Sequence, residues 1–411
     1  MENIYDIRAK NRLLYILPEE AAEKNDRSGA VLEKCVIVVN LYYDEMLEMS
    51  CEYISRIPEE IRVLCISSRQ RVLDQAEKWI CRENVAYILK ENRGRDVSAL
   101  LVTARETVKK YKYFCWLHDK NHKFEGEQDE VQTWSKGLWD NSILSGDYIR
   151  GVIHIFEENE TVGMLLPPEP TGDYSYAWYG DAWTNEKNYI RTKELIERYH
   201  LKAVIDRDTP PLLGTTMWAR TDSVKKLLET EWRYEDFPEE PMPHDGTLSH
   251  ALERCYPYFA QDAGYVVGTV MCSRYAAQQL LWAQENMRYL FKAAADEYAV
   301  NSLHQLKTAK KQAELLQTIF AGQENVLFFG TGVYAGNMLK TAEKMGYAPD
   351  GFVVSDGRKE HEVFHGYPVY ELHEITPGEC LIVIAASYSV QEEIAGMLEA
   401  RGLDHYIKGV L

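Results

Sequence analysis

Four short, almost wholly apolar runs divide the first 120 residues, and their spacing constrains the fold more than any other feature of the chain. They are Val36-Ile-Val-Val39, Ile61-Arg-Val-Leu-Cys-Ile66, Val85-Ala-Tyr-Ile-Leu89 and Tyr113-Phe-Cys-Trp-Leu117, and amphipathic, helix-compatible segments separate them. Runs this short and this uniformly apolar suit strands buried on both faces, and helices between them supply the crossovers of a largely parallel sheet. The chain is therefore expected to be α/β. A ligand of such a sheet sits beyond the carboxyl ends of its strands, so the loops that follow the runs are where chemistry is to be sought.

Two of those loops are dense in polar groups: Glu91-Asn-Arg-Gly-Arg-Asp96 after the third run and His118-Asp-Lys-Asn-His122 after the fourth. Further strand-like runs follow at Val162-Gly-Met-Leu-Leu166 and Thr215-Thr-Met-Trp-Ala219, and Pro241 to Tyr258 reads as a loop entering a helix near Gly246. From Thr269 through Ala321 there is neither Gly nor Pro, and Ala, Leu, Gln, Lys and Glu dominate, which predicts two or more helices acting as a connector. Beyond it, Asn325-Val-Leu-Phe-Phe-Gly330 runs into Gly330-Thr-Gly-Val-Tyr-Ala-Gly336. Strands Gly351–Asp356 and Leu381–Ala385 come later, the outline of a small Rossmann-like βαβ module. The organisation expected is a first domain over residues 1–268, a helical connector over 269–323 and a Rossmann-like domain over 324–411.

Charge removes some partners. The net charge of the 411-residue chain is −18, and both the part before residue 324 and the part after it are acidic, so no basic face is offered to nucleic-acid phosphates. The eight cysteines form no C-x-x-C pair, and Cys35, Cys65, Cys115 and Cys380 lie in or beside apolar runs. Small buried thiols in a reducing compartment fit that pattern better than a disulfide framework, so a cytoplasmic location is expected. No apolar stretch approaches the roughly 20 residues that span a bilayer, and no signal-like N-terminus is evident. Peripheral attachment to a membrane stays compatible with this.

Each candidate motif has a plain structural alternative. In Asn92-Arg93-Gly94-Arg95-Asp96, two guanidiniums and a carboxylate around a glycine suit a site that holds a diphosphate and sugar hydroxyls, because Arg presents a planar fork of donors. The alternative is a surface turn with a self-satisfied Arg–Asp pair. His118 and His122, four residues apart, could bind zinc on a helix, but Asp119 stands where the metalloprotease signature has Glu. Asp119 at a strand end would instead be a ligand for Mg²⁺ or Mn²⁺ bridging a nucleotide diphosphate, with Lys120 offsetting phosphate charge. A polar loop capping a strand is the bland counterpart.

The stretch Pro243–Arg254 gathers His244, Asp245, His250, Glu253 and Arg254; Asp245 would be either a helix N-cap or a general base for an acceptor hydroxyl. Tyr174–Trp183 holds five aromatics in ten residues. Trp178, Tyr179 and Asp181 there would make an acceptor-saccharide platform, unless the rings are core packing. In the last module, Gly330, Gly332 and Gly336 read G-x-G-x-x-x-G, one residue longer than the dinucleotide fingerprint. Asp356 stands near where a ribose-binding acid is expected, so a nucleotide is a candidate ligand there.

In order along the chain, Asn92-Arg-Gly-Arg-Asp96, Trp116-Leu-His-Asp-Lys120, Gly163–Pro168, Gly214–Arg220 and His244–Arg254 together resemble the rhamnan synthesis protein F family, over roughly residues 35 to 270. That resemblance implies a GT-A-like glycosyltransferase that moves a sugar, L-rhamnose from its dTDP donor, onto a cell-surface polysaccharide precursor. Under it, Asn92, Arg93 and Asp96 face the nucleotide sugar, His118 and Asp119 stand where related folds keep a metal-binding Asp pair, and Asp245 is the base. A D-x-D motif is absent here, and His118-Asp119 stands in its place. The implied acceptor is a glycan or lipid-linked glycan, which would bring the protein to the inner face of the membrane without a spanning helix. Two other functions stay open: an oxidoreductase that uses NAD(P) or a nucleotide sugar at the C-terminal loop, and a non-catalytic scaffold of glycan assembly.

Overall fold

A computed structural model describes residues 13–20, 29–120, 128–168, 183, 186–203, 205, 214–243, 245–298, 302–322 and 325–410. The chain is α/β and forms two compact units, residues 1–282 and 283–411.

In the first unit the four apolar runs are strands β2 (Cys35–Asn40), β3 (Arg62–Ser67), β4 (Val85–Leu89) and β5 (Tyr113–His118), all mutually parallel; β1 is Leu14–Leu17. They join β6 (Val162–Leu166), β7 (Met217–Arg220) and β8 (Val266–Cys272) in an eight-stranded sheet ordered β1-β8-β6-β7-β5-β2-β3-β4. Every residue of β2 and β5 is buried, as expected of central strands covered on both faces. Alternate side chains divide between two cores. Ile37, Val39, Cys115 and Leu117 pack with helices Leu47–Ser55, Gln70–Ile80, Gln128–Ile143 and Gly146–Glu158; Val36, Val38, Phe114 and Trp116 pack with the helix from Arg95 to Val108 and with helices Glu186–Arg198 and Leu248–Asp262. The result is a helix–sheet–helix sandwich.

One strand runs the other way. β7 is antiparallel to both β5 and β6, so the entry of β7, at Gly214–Thr216, lies beside the exit of β5. That reversal brings a loop from 100 residues further along the chain to the end of the sheet where β5 delivers His118.

The connector expected from Thr269 begins later. Val266–Cys272 is a strand paired with β6 and with the edge strand β1, and the long helix Ser273–Tyr298 starts after it. Thr269, Val270, Met271 and Cys272 read equally well as strand or helix because no breaker divides them from the helix. The second helix of the region, Leu303–Phe320, sends Leu316 and Ile319 into the core of the second unit.

The second unit is built on β9 (Val326–Phe329), β10 (Gly351–Val354), β11 (Val363–Phe364), β12 (Tyr367–Glu371), β13 (Leu381–Ile384) and β14 (Tyr406–Lys408), ordered β11-β12-β10-β9-β13-β14. All pairings are parallel except the short β11 hairpin. Helices Leu303–Phe320 and Val333–Lys344 cover one face and Tyr388–Glu399 the other. With six strands it holds more sheet than its strongest apolar runs announce, because β11, β12 and β14 are short and amphipathic.

Candidate active site

At the carboxyl end of β5 two buried polar side chains stand together. His118 is the last residue of the strand, 8% exposed, and Asp119, 3% exposed, follows it. Asp119 Oδ2 accepts the backbone N–H groups of Tyr42 (2.7 Å) and Tyr43 (2.8 Å) from the loop after β2, while Oδ1 has no hydrogen-bond partner. Burial raises the Asp119 pKa to about 7, against the lowering effect of the two amides. His118 Nδ1 is also unpartnered and lies 4.0 Å from Asp96 Oδ2. Burial lowers the His118 pKa, against the raising effect of the Asp96 charge. A buried polar atom without a partner costs roughly 1–3 kcal/mol, so Asp119 Oδ1 and His118 Nδ1 are each able to receive a ligand group.

The loop after β4 forms one wall. Gly94 takes φ +69°, and a Cβ there would lie 2.7 Å from Phe237 Cγ, so the turn needs glycine for both its backbone and its space. Arg95 follows at φ +47°. A helix then runs through Arg95–Ser98, a π-helical stretch Ala99–Ala104 and Arg105–Val108. Asp96, in its first turn, is a carboxylate that burial would push up; the His118 charge and a hydrogen bond from the Thr215 side chain outweigh this and hold its pKa below the usual value. Beneath the loop lies Lys90, 7% exposed, whose ammonium donates to the carbonyls of Glu91 (2.7 Å) and Arg93 (3.1 Å) and to Ser98 Oγ (3.0 Å). Sequence reasoning passes over Lys90; its one signal is a lysine that ends an apolar strand run.

The opposite wall comes from the loop 214–216 and from the helix Leu248–Asp262. Glu253 accepts the Gly214 N–H, which anchors the loop carrying Thr215 to that helix. The N-cap of the helix is Thr247, not Asp245: its Oγ1 lies 2.8 Å from His250 Nδ1, and its N–H donates to the same nitrogen at 3.4 Å. Asp245 is thus released from capping. Its Oδ1 accepts Asn188 Nδ2 and its neighbour Gly246 N, both at 2.8 Å, and sits 4.0 Å from His250 Nδ1. The two walls have Arg95 in common. Tyr43 feels the charges of Asp119, Arg95 and Asp96, while His250 feels Glu253, Asp245, Arg254 and the same Arg95.

Other candidates take different places. Arg93 holds backbone: its Nε donates to Phe237 O at 2.7 Å and its Nη2 to Glu235 O at 3.3 Å, with Glu239 3.5 Å from Nη1. Arg95 reaches Glu240 (3.1 Å) and Met242 O (3.4 Å). Asn92 is exposed, its Oδ1 accepting from Ser68. Lys120 Nζ stands 3.3 Å above the Trp134 ring. A helical zinc pair is not formed at His118, which ends a strand; His122 lies outside the described residues, as do His244, Trp178, Tyr179 and Asp181. Trp183, the end of the aromatic stretch, is fully buried against Tyr189.

In the second unit Gly330 adopts φ +114°, and Gly332 is the N-cap of helix Val333–Lys344, in which the Gly336 N–H bonds back to Gly332 O. Asp356 follows β10. The Arg401 guanidinium and the His373 N–H and ring hold its carboxyl well below the usual carboxylate range. Asp356, Glu371 and His373 are the group of three metal-capable side chains found among the described residues, and Arg401 already supplies the positive charge there.

The family model RgpF, Rhamnan synthesis protein F, matches residues 1–265. Two curated relatives, each called "Uncharacterized protein WxcX" and each from a strain of Xanthomonas campestris pv. campestris, are 22% identical over 237 residues. The match covers 57% of this chain and 32% of each relative, so the chain spans about a third of the length of the curated relatives it matches. Among the described residues no helix is long and apolar enough to cross a membrane.

Proposed function

Because the chain belongs to the rhamnan synthesis protein F family, a family of polysaccharide synthesis, we propose that its first unit is a glycosyltransferase. It would move a sugar from a nucleotide donor, L-rhamnose from dTDP-rhamnose, onto a glycan or lipid-linked glycan acceptor at the inner face of the membrane. We read residues 1–268 as a GT-A-like domain and 324–411 as a Rossmann-like module, joined through the helices of 269–323.

What supports this proposal is the His118–Asp96 pair, 4.0 Å apart at the carboxyl end of the sheet, the tie from Glu253 to the loop that carries Thr215, and the buried, unpartnered Asp119 Oδ1 and His118 Nδ1. In the reaction, an acceptor hydroxyl oxygen attacks the anomeric carbon, the bond to the diphosphate oxygen breaks, and the hydroxyl proton passes to a base. Asp245 is the base in this proposal. Asn188 and Gly246 both bond to its Oδ1, which restrains the carboxylate. Arg95 and the N–H groups opening the helix at Arg95 offset the charge that grows on the departing diphosphate.

The residues fit a divalent cation only in part. Asp119 Oδ1 is a suitable hard oxygen ligand, yet one protein oxygen would leave most of the coordination of Mg²⁺ or Mn²⁺ to the diphosphate and water. When bound, such an ion would neutralise the leaving group. The pKa of Asp119, about 7, supports a second description in which the protonated carboxyl donates a hydrogen bond to the diphosphate. For the second unit, a nucleotide resting on the Gly330–Gly332 turn remains our proposal; Asp356 is occupied by Arg401, which does not favour it as the ribose ligand of a dinucleotide.

The test is a panel of nucleotide sugars assayed for transfer and hydrolysis with and without Mn²⁺. Turnover of dTDP-rhamnose supports the proposal, and no turnover of any donor favours a scaffold. NAD(H) binding that is lost in Asp356→Ala would favour the oxidoreductase.

A further inference from the structure

The helix Glu186–Arg198 has two distinct faces. Its buried face carries Asn188, whose side-chain amide donates to Oδ1 of Asp245, the proposed base (2.8 Å), and to Trp183 O (3.0 Å). Along its flank runs a groove of about 320 Å³ that, among the described residues, is lined by this helix and by Leu248, the first residue of helix Leu248–Asp262. Lys187, Arg191 and Arg198 stand in it at helical positions i, i+4 and i+11, which puts them on one side of the helix, and Glu194 is the carboxylate among them. All four are exposed. The remaining lining is apolar: Ile190, 47% exposed, Leu248, half-buried, and Leu195, buried. The Arg198 guanidinium lies 5.6 Å from the centre of the Tyr199 ring, which packs in turn on Phe259, so this cation is seated against the core.

We propose that this groove holds the phosphate head of a lipid-linked acceptor, its cations on the phosphate oxygens and its apolar lining against the start of the carrier chain. The inference rests on the proposed transfer reaction and adds to it the place where the acceptor is recognised. Three cations against one carboxylate reverse the balance of the whole chain, 46 basic to 64 acidic side chains. A chain of net charge −18 repels an anionic partner unless cations are gathered locally, and here they are gathered. The apolar lining selects further. A bare glycan offers no charge to the three cations, and a small inorganic anion leaves Ile190 and Leu248 uncovered; a phosphate joined to a hydrocarbon chain meets both demands. Position completes the case. Lys187 precedes Asn188, which holds Asp245, and Leu248 follows Asp245 by three residues, at most about 10 Å of extended chain. A glycan carried beyond the seated phosphate is thus delivered next to the base.

The test uses the full chain and farnesyl diphosphate, a soluble probe with head and tail, titrated calorimetrically in saturating dTDP so that the donor site is already filled. Inorganic pyrophosphate is the head alone. Arg191→Gln/Arg198→Gln removes two exposed cations and is expected to keep the wild-type melting temperature; Lys225→Gln, at an exposed lysine outside the groove, is the control. The wild type is expected to bind farnesyl diphosphate about tenfold or more tighter than pyrophosphate, the double variant to lose about tenfold, Ile190→Ser to lose the preference for the tailed probe, and Lys225→Gln to change affinity by less than about twofold. Neutral vesicles doped with polyprenyl phosphate, floated beside vesicles carrying phosphatidylglycerol at the same surface charge, separate the two sources of lipid phosphate. Capture by the first alone is expected; equal capture by both means that the groove meets any anionic bilayer, and overturns the acceptor assignment. Affinity for farnesyl diphosphate that the double variant leaves unchanged, or that pyrophosphate matches, overturns it as well. Binding of the tailed probe that depends on Arg191 and Arg198, in a chain that binds no dTDP, sinks the donor-site reading and leaves the groove standing.

Discussion

At the scale of the residue, the two aspartates carry different duties because their surroundings differ. Asp245 has two donors on one carboxylate oxygen and partial exposure, and it is the base in the proposed reaction. Asp245→Asn is expected to lower the turnover number by about 10²-fold or more while leaving dTDP affinity within twofold, which steady-state kinetics and calorimetry check. Asp119 is shut away from water, and its folded-state pKa is raised to about 7 from 3.8. A raised acid favours the native state most below pH 4 and progressively less as pH climbs to 7, because the folded chain must then hold a buried charge that the unfolded chain exposes. Asp119→Asn in metal-free buffer is therefore expected to raise the melting temperature at pH 8 more than at pH 4.5, by an amount on the order of 1–4 kcal/mol in stability. An equal shift at both pH values would contradict this. Arg93 is a lesson in the same terms: two guanidiniums and a carboxylate around a glycine read from sequence as a diphosphate site, but Arg93 bonds the carbonyls of Phe237 and Glu235, and Arg95 bonds Glu240 and Met242 O.

At the scale of the element, the donor wall is a short turn under strong constraint. Gly94 combines positive φ with a Phe237 ring where a Cβ would go, so Gly94→Ala is expected to cost roughly 2–4 kcal/mol in chemical denaturation, from left-handed strain plus overpacking. A loss below about 0.5 kcal/mol would show that the loop relaxes freely and that its shape does not define the site. The central strands were legible because β2, β3 and β5 are uniformly apolar and each ends at a polar loop; burial on both faces leaves that plain mark. The edge strand β1 and its neighbour β8 were not, since β1 alternates exposed Leu14 and Ile16 with partly covered residues and β8 merges without a breaker into the helix at Ser273. Likewise, Asp245 ahead of a helix reads either as a cap or as a base, and Thr247, two residues on, is the one whose backbone turns into the helix.

At the scale of the whole molecule, what sequence order hides is the reversal of β7. His118 and Asp96 are close to each other in the chain, but Thr215 reaches them because the antiparallel β7 begins at the carboxyl edge of the sheet, and Glu253, later still in the chain, is tied to that loop through the Gly214 N–H. Lys90 stayed invisible for a related reason: a buried lysine is recognised by the carbonyls around it, and those depend on a backbone turn that no residue pattern specifies. The acidic balance of −18 also frames the function, since an anionic donor would be held by a few local cations and backbone dipoles, not by a basic surface. The most direct measurement is a calorimetric titration of dTDP-rhamnose into the full chain in the presence of Mn²⁺, with wild type, Arg95→Ala and Asp356→Ala in parallel. Binding with a dissociation constant below about 1 mM, weakened at least tenfold by Arg95→Ala and untouched by Asp356→Ala, is the result expected. Binding abolished by Asp356→Ala and unaffected by Arg95→Ala, or no binding at all, would contradict a donor site at the end of the first sheet.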